Sequence, residues 1–321
     1  MTKPRVSFVI PVLNGEKDIA RCLLSVQNLQ FPRQEYEVLI LDNGSTDQTH
    51  RIIHELNFDF KIIPKLRVGA LRNRGATIAQ GDYLAFVDAD VELTPYWVQR
   101  GLEAFADPRI VAGGCFPKVP EGATWVQRAW DIHQRGSHFD SRPWSAAWLP
   151  SMNLIVRRDV FMVTGGFNEQ LETAEDVDLC YRLGHRGVIL YNPAMEAIHW
   201  GEAKDLRAFW HKEIWRGRGN LHGILSHGFR WDELPSLGYP LYVLGMVLLF
   251  TFSCIFAIWH WRVTLISLTL LLIALPALVL STVTTWRAGK LKKLPQLFVL
   301  YFVYGFARAY ALIKAGVPCR A

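Results

Sequence analysis

Along the N-terminal two thirds of the chain, apolar residues fall into short continuous runs that alternate with stretches of helical spacing. Val6-Ser7-Phe8-Val9-Ile10, bounded by Pro11, predicts a first strand. Gly15 to Asn28, with Ile19, Cys22, Leu23 and Val26 at helical intervals, predicts the helix that follows. Glu37 to Leu41 predicts a second strand, and Ile52, Ile53 and Leu56 mark the apolar face of a second helix. Lys61-Ile62-Ile63 predicts a short third strand, and Tyr83 to Val87 a fourth. Between them Arg72 to Gln80 predicts a small helix with Gly81 as its C-cap. Thr94-Pro95 has N-cap and N1 chemistry for a helix through Phe105. This alternation predicts an α/β fold with a doubly wound, mostly parallel sheet.

From Lys118 to Pro150 the periodicity loosens around Trp125, Trp130, His133, His138, Trp144 and Trp148. Such a segment either contacts a substrate beside a cleft or packs as a surface excursion on a membrane or the core, and the residues support both equally. Beyond it, Asn153 to Arg157 predicts a strand, Gly165-Gly166-Phe167 a turn, and Val177 to His185 a helix. Leu206 to His222 predicts an amphipathic helix whose basic face holds Arg207, Lys212, Arg216 and Arg218, a pattern suited to a membrane interface.

The pattern then changes. No Asp, Glu, Lys or Arg occurs from Leu234 to Trp261 or from Val263 to Trp286. Each stretch exceeds the roughly 20 residues that cross a bilayer. Leu294 to Ile313 is a third candidate, interrupted by Arg308, that either spans or lies on a surface. Soluble helices need a polar face, so spans at about 236–258, 263–284 and 295–313 are expected. Arg287, Lys290, Lys292 and Lys293 separate the second and third candidates, against only His260 and Arg262 between the first two. By the positive-inside rule the longer basic loop is cytoplasmic, and the N-terminal domain with it. The expected organisation is a cytoplasmic domain over 1–230, with an interfacial region at 205–230, and an all-α membrane region over 231–321 of an inner membrane.

Composition agrees with that division. The chain has 321 residues, is 50% hydrophobic and carries a formal net charge of +6. No run of five Lys or Arg marks a nucleic-acid tail, so nucleic acid is not an expected partner and anionic membrane lipid is. Cys22, Cys115, Cys180, Cys254 and Cys319 form no CxxC pair or zinc spacing and read as packing residues.

The chemistry lies where the strands end. Val38-Leu39-Ile40-Leu41 runs into Asp42, and Phe86-Val87 into Asp88-Ala89-Asp90. Acids at the carboxyl ends of parallel strands line a cleft for a polar ligand. Two acids at i and i+2 suit a divalent metal that bridges phosphates, which points to a nucleotide-sugar enzyme. No GxGxxG follows the first strand, which disfavours a Rossmann dehydrogenase.

Six segments in order extend this: Val6 to Gly15, Leu41-Asp42-Asn43-Gly44-Ser45-Thr46-Asp47, Arg72-Asn73-Arg74-Gly75, Phe86 to Asp90, Gly165-Gly166-Phe167-Asn168-Glu169, and Glu175-Asp176-Val177-Asp178-Leu179. Together, over residues 4 to 220, they resemble a family 2 glycosyltransferase of the GT-A fold with C-terminal membrane helices. The resemblance implies that Pro11, Leu13 and Asn14 form the first nucleotide-contacting loop and that Asp42 accepts from the base. It implies that Arg72 positions the nucleotide, that Asp88 meets the ribose, and that Asp90 holds Mg²⁺ or Mn²⁺ on the diphosphate. Asp176 would be the general base, and inversion at the anomeric carbon would follow from a single displacement. His199 matches a histidine that some members place on the metal. Trp215-Arg216 resembles, in reversed order and without its glutamine, the Gln-x-x-Arg-Trp motif of processive members; that departure argues against processive polymerisation, while Arg216 remains a candidate diphosphate contact.

Structural alternatives stand beside these roles. Asp42 and Asp88 can end strands and cap turns. Thr173-Ala174-Glu175-Asp176 is spaced as a capping box. His199 follows an apolar run and can be a packing residue, and Arg216 can pair at an interface. The expected reaction moves a sugar from a UDP-, GDP- or dTDP-linked donor to a hydroxyl of a lipid-linked or other saccharide acceptor in cell-surface polysaccharide assembly. The alternatives are transfer to a polyprenyl phosphate and a non-catalytic membrane scaffold.

Overall fold

The computed structural model describes residues 3–63, 65–136, 142–218, 234–260 and 263–315. His138, Cys319 and the end of the helix expected through His222 lie outside them. The chain forms two compact units, residues 1–121 with 140–202, and residues 122–139 with 203–321.

In the first unit the elements run β1 (Val6–Val12), α1 (Ile19–Gln27), β2 (Tyr36–Asp42), α2 (Thr49–Glu55), β3 (Phe60–Ile62), α3 (Val68–Ile78), β4 (Tyr83–Val87), β5 (Val91–Leu93), α4 (Trp97–Ala104) and β6 (Ile110–Gly114). After α5 (Trp125–Arg135), which belongs to the second unit, follow β7 (Trp144–Ser145), β8 (Asn153–Arg157), α6 (Arg158–Thr164), α7 (Glu175–Gly184), β9 (Val188–Tyr191) and β10 (Ala197–His199). The second unit adds α8 (Leu206–Arg218), α9 (Leu234–His260), α10 (Val263–Arg287) and α11 (Leu294–Ala315).

One eight-stranded sheet runs in the order β3-β2-β1-β4-β8-β6-β9-β7. The pairs β3-β2, β2-β1, β1-β4 and β6-β9 are parallel, while β8 is antiparallel to both of its neighbours. Every residue of β1 is buried because helices cover both faces of the sheet. Its period of two divides the core: Phe8, Ile10 and Val12 join α1 and α4 on one face, and Val9 joins α3, α6 and α7 on the other. The carboxyl ends of β1, β2 and β4 lie side by side where the sheet order reverses, the position at which open α/β sheets bind ligands.

Several local expectations are corrected. Helix α3 starts at Val68 rather than Arg72 and ends at Ile78 with Ala79 as C-cap, so Gly81 caps nothing. Gly81 instead lies against β1, where its N–H donates to Ser7 Oγ at 2.8 Å and a Cβ would fall 2.7 Å from the Ser7 amide nitrogen. Helix α4 starts at Trp97, because Thr94 Oγ1 donates to the Glu196 carbonyl at 3.0 Å instead of capping. Helix α7 starts at Glu175 behind Ala174, which is left-handed (φ 64°) and makes no side-chain cap, so Thr173 stands one residue outside the N-cap position read for it. A capping box occurs where none was read: Thr124 and Gln127 exchange side-chain-to-backbone bonds of 2.9 and 3.4 Å at the start of α5.

In the second unit, Trp130 of α5 packs edge-on to Phe209 of α8, with ring centroids 4.7 Å apart, and also meets Tyr301 and Tyr304 of α11. Among the described residues, three helical stretches are long and apolar enough to cross a membrane: Ser236–Ile255, Thr264–Arg287 and Leu291–Lys314. The charge in the third is paired. Arg308 donates from Nε to Glu213 Oε2 at 3.0 Å, and Arg216 Nη1 donates to Glu213 Oε1 at 2.8 Å. Glu213 is fully buried, and the two guanidiniums outweigh its burial and hold its carboxyl below the usual range.

Candidate active site

The loops that leave β1 and β2 are laced together. Asn14 adopts φ 52°, a conformation that asparagine tolerates. Its N–H donates to Ser45 Oγ at 2.8 Å, and its Oδ1 accepts from the Thr46 N–H at 2.9 Å. The Gly15 N–H donates to Thr49 Oγ1 at 2.8 Å. Pro11 pairs with Leu41 in the ladder, and Leu13 is exposed on the loop.

Asp42 ends β2 fully buried. Its Oδ2 accepts from the Gly44 and Ser45 N–H groups at 3.0 Å each and lies 2.9 Å from His50 Nε2. Burial raises the carboxyl pKa, but the bonds from Ser45, His50 and Gly44 outweigh it and hold the acid below its ordinary value. Its Oδ1 is buried and has no hydrogen-bond partner among the described residues, an acceptor position open to a ligand N–H.

Arg72 joins strand end to helix start. Its Nη1 donates to Glu175 Oε1 at 2.8 Å and its Nη2 to Asp88 Oδ1 at 2.5 Å. The guanidinium is 2% exposed and lies over the Phe167 ring, 5.5 Å from its centroid. Burial opposes its charge, yet Asp88 and Glu175 more than compensate and raise its pKa. Asp176, which follows Glu175 in α7, is shifted toward its neutral form. Burial first, and then repulsion from Glu175, push its carboxyl up to about 7, although its Oδ1 accepts from the Val177 N–H at 2.9 Å. Asp176 is thus poised to exchange a proton near neutrality.

The small ladder of β5 with β10 places the remaining pair. Its antiparallel register sets His199 opposite Val91, beside the end of Asp88-Ala89-Asp90. His199 Nε2 lies 3.2 Å from Asp90 Oδ2, and its Nδ1 lies 3.4 Å from Glu202 Oε1. Burial lowers the imidazole pKa, but Asp90 and Glu202 dominate and raise it to about 9. The Trp200 N–H donates to the Asp90 carbonyl at 2.9 Å, and a Cβ on Gly201 would overlap Asp90 Oδ2.

Among the described residues, no group of three or more His, Cys, Asp or Glu is arranged to hold a metal ion. Asp90 and His199 offer one carboxylate and one imidazole. A divalent cation that keeps several waters and completes its shell with substrate phosphates needs no more from the protein, so this donor pair fits one.

A family model described as glycosyl transferase family 2 matches residues 7–165. The chain belongs to this family. The glycosyltransferase is 29% identical over 230 residues to glycosyltransferase AglE of Haloferax volcanii, an alignment covering 68% of this chain and 74% of the relative. It is 23% identical over 342 residues to the probable glycosyltransferase YdaM of Bacillus subtilis, covering 95% and 80%. Among solved structures, mannosyltransferase PcManGT from Pyrobaculum calidifontis, in complex with GDP-Man and Mn²⁺, aligns with a TM-score of 0.64 at 15% identity, over 100% of this chain and 89% of that one. At that identity the likeness carries the fold, which is GT-A.

The matched segment of this glycosyltransferase contains Pro11, Leu13, Asn14, Asp42, Arg72, Asp88 and Asp90, but not Asp176 or His199. Arg216 belongs to the second unit, where its partner is Glu213. Three residues with a part in this geometry escaped the sequence analysis: His50 on Asp42, and Gly201 and Glu202 around Asp90 and His199. His50 lies one helical turn past the Asn43 to Asp47 segment, which was the available signal. Glu202 lies three residues past His199, and that spacing was its only signal.

Proposed function

We propose that this glycosyltransferase moves a sugar from a nucleoside diphosphate donor, with inversion, onto a hydroxyl of a lipid-linked saccharide at the cytoplasmic face of a membrane. The carrying observation is the bridge from Asp88 through Arg72 to Glu175, which fastens the start of α7, and with it Asp176, to the strand end that bears Asp88 and Asp90. Leu13 and Asn14 would border the nucleotide, and Asp42 Oδ1 would accept an N–H of the uracil, guanine or thymine base. Asp88 would meet the ribose, and Asp90 with His199 would hold Mg²⁺ or Mn²⁺. The bound cation would neutralise charge developing on the leaving diphosphate. Asp176 would take the proton of the acceptor hydroxyl as that oxygen bonds to the anomeric carbon. The bond from that carbon to the diphosphate oxygen breaks, and the nucleoside diphosphate leaves with both electrons.

The three apolar helices support anchoring in a membrane, and an anchored enzyme suits an acceptor held there by a lipid tail. The exposed stripe of Arg207, His211, Trp215 and Arg218 on α8 suits an anionic lipid surface. The raised Asp176 pKa favours a hydroxyl acceptor, because a phosphate acceptor needs no base.

The test is donor turnover by the detergent-purified full chain over UDP-, GDP- and dTDP-sugars, with and without Mn²⁺ or Mg²⁺, and with a short-chain polyprenyl-diphosphate saccharide as acceptor. Metal-dependent transfer from one donor, lost in Asp90→Ala, is expected. Metal-independent transfer, or full activity in Asp90→Ala, overturns the reading. Transfer to polyprenyl phosphate that survives Asp176→Asn would move the acceptor to the phosphate class.

A further inference from the structure

We infer that Glu202 is a positioning residue that turns His199 toward the cation. The inference rests on the reading of Asp90 and His199 as metal ligands. The segment His199-Trp200-Gly201-Glu202 is built around the Asp90 carboxylate, and each of its residues does something specific there. The His199 N–H donates to the Lys118 carbonyl at 2.8 Å, which fixes the backbone. The Trp200 N–H donates to the Asp90 carbonyl, its indole Nε1 donates to Glu92 Oε2 at 2.9 Å, and the Arg21 guanidinium lies over its ring, 3.7 Å from the centroid. Gly201 leaves room for the Asp90 carboxylate.

Glu202 then returns beneath the imidazole. Both side chains are almost fully buried, at 5% and 7% exposed, with Nδ1 to Oε1 at 3.4 Å. The carboxylate thus takes up the Nδ1 side of the ring. That leaves Nε2, 3.2 Å from Asp90 Oδ2, as the ring nitrogen presented to a cation on the Asp90 side. Carboxylate–histidine pairs of this kind fix ring orientation and tautomer at metal sites, and losing the outer partner typically costs about 10- to 100-fold in metal affinity.

The experiment titrates Mn²⁺ into the detergent-purified full chain with saturating UDP and, separately, GDP. Free Mn²⁺ is followed by EPR, and ¹⁴N coupling to bound Mn²⁺ by pulsed EPR. Glu202→Ala is expected to weaken Mn²⁺ binding about 10- to 100-fold and to lose the imidazole coupling. Glu202→Gln, which keeps an acceptor oxygen and the side-chain volume, is expected to restore both. Thermal unfolding in EDTA identifies any variant that binds poorly only because it is unfolded. Wild-type affinity and coupling in Glu202→Ala, with binding lost in Asp90→Ala, overturns the positioning role and leaves the metal reading standing. Equal losses in Glu202→Ala and folded Glu202→Gln overturn it too, since charge rather than orientation would then be decisive. Wild-type binding in Asp90→Ala, or none in the wild type, removes the metal reading and this inference together.

Discussion

Arg72 and Glu175 lie 103 residues apart in sequence, yet their buried side chains meet at 2.8 Å. The other arm of the same guanidinium holds Asp88, so one planar fork spaces two acids. Replacing Arg72 with Met would leave Asp88 and Glu175 repelling each other without their cation. Loss of one partner of a buried ion pair costs about 3–5 kcal/mol, and a fall of that order in unfolding free energy is expected. Arg72→Lys keeps the charge but cannot reach both carboxylates in one plane. It should fold and lose most transfer activity, as thermal unfolding and donor turnover measured side by side would establish.

The proposed role of Asp176 predicts a pH dependence. Its carboxyl stands at about 7 against an ordinary value of 3.8, from burial and then from Glu175. In its proposed role as general base it must be ionised, so transfer is expected to rise with pH through about 7 and to level off above it. The stability sign runs the other way. Between 3.8 and 7 the folded state holds a proton that the unfolded state has lost, so this group's contribution to stability falls as pH rises through that window. Asp176→Asn should therefore abolish transfer while raising the unfolding midpoint above pH 7 relative to wild type. A pH–rate profile of the wild type and melts of both proteins at pH 5 and 8 check the two signs.

Gly201 separates packing from chemistry. It is exposed, so adding a methyl group there disturbs no core, but the new Cβ would occupy the position of Asp90 Oδ2. Gly201→Ala is expected to leave the metal-free melting temperature within a few degrees of wild type. Mn²⁺-dependent binding of UDP or GDP should weaken about 10-fold or more, as for loss of a ligand's orienting contact. Calorimetric titration with and without Mn²⁺ distinguishes this from a general loss of nucleotide affinity.

What the chain discloses before folding follows from which forces are local. The strands of the parallel half announce themselves because both faces are covered, so Val38 to Leu41 and Leu84 to Val87 are apolar without interruption, and the acids that follow them, Asp42 and Asp88, stand out. Helix α5 was hidden because Arg128, Asp131 and Gln134 interleave with its buried Val126, Ala129, Trp130 and Ile132 over too few turns to declare a period. Thr173 resembled an N-cap by spacing alone, but the left-handed Ala174 displaces the helix start by one residue. The contacts of Arg72 with Glu175 and of Asp90 with His199 join residues more than 100 positions apart, and only the pairing of β4 with β8 and of β5 with β10 brings those segments together.

The pairing of Arg308 with Glu213 explains how an apolar helix carries a guanidinium. A charge at membrane depth is tolerated when it faces protein and finds a counter-charge. Glu213 is fully buried between Arg308 and Arg216, and Gly217, one turn on, lets α8 approach Ala311 so closely that a Cβ would fall 2.7 Å from it. Glu213→Gln should leave Arg308 without its counter-charge and cost about 3–5 kcal/mol. Arg308→Met alone should cost less, because Arg216 still neutralises Glu213. The double variant Glu213→Gln/Arg308→Met should recover part of the loss, since neither charge then remains to be compensated between α8 and α11. Unfolding midpoints of all four proteins in one detergent form the cycle. Additive losses, with no recovery in the double variant, would mean that the two side chains do not couple and that Arg308 is tolerated for another reason.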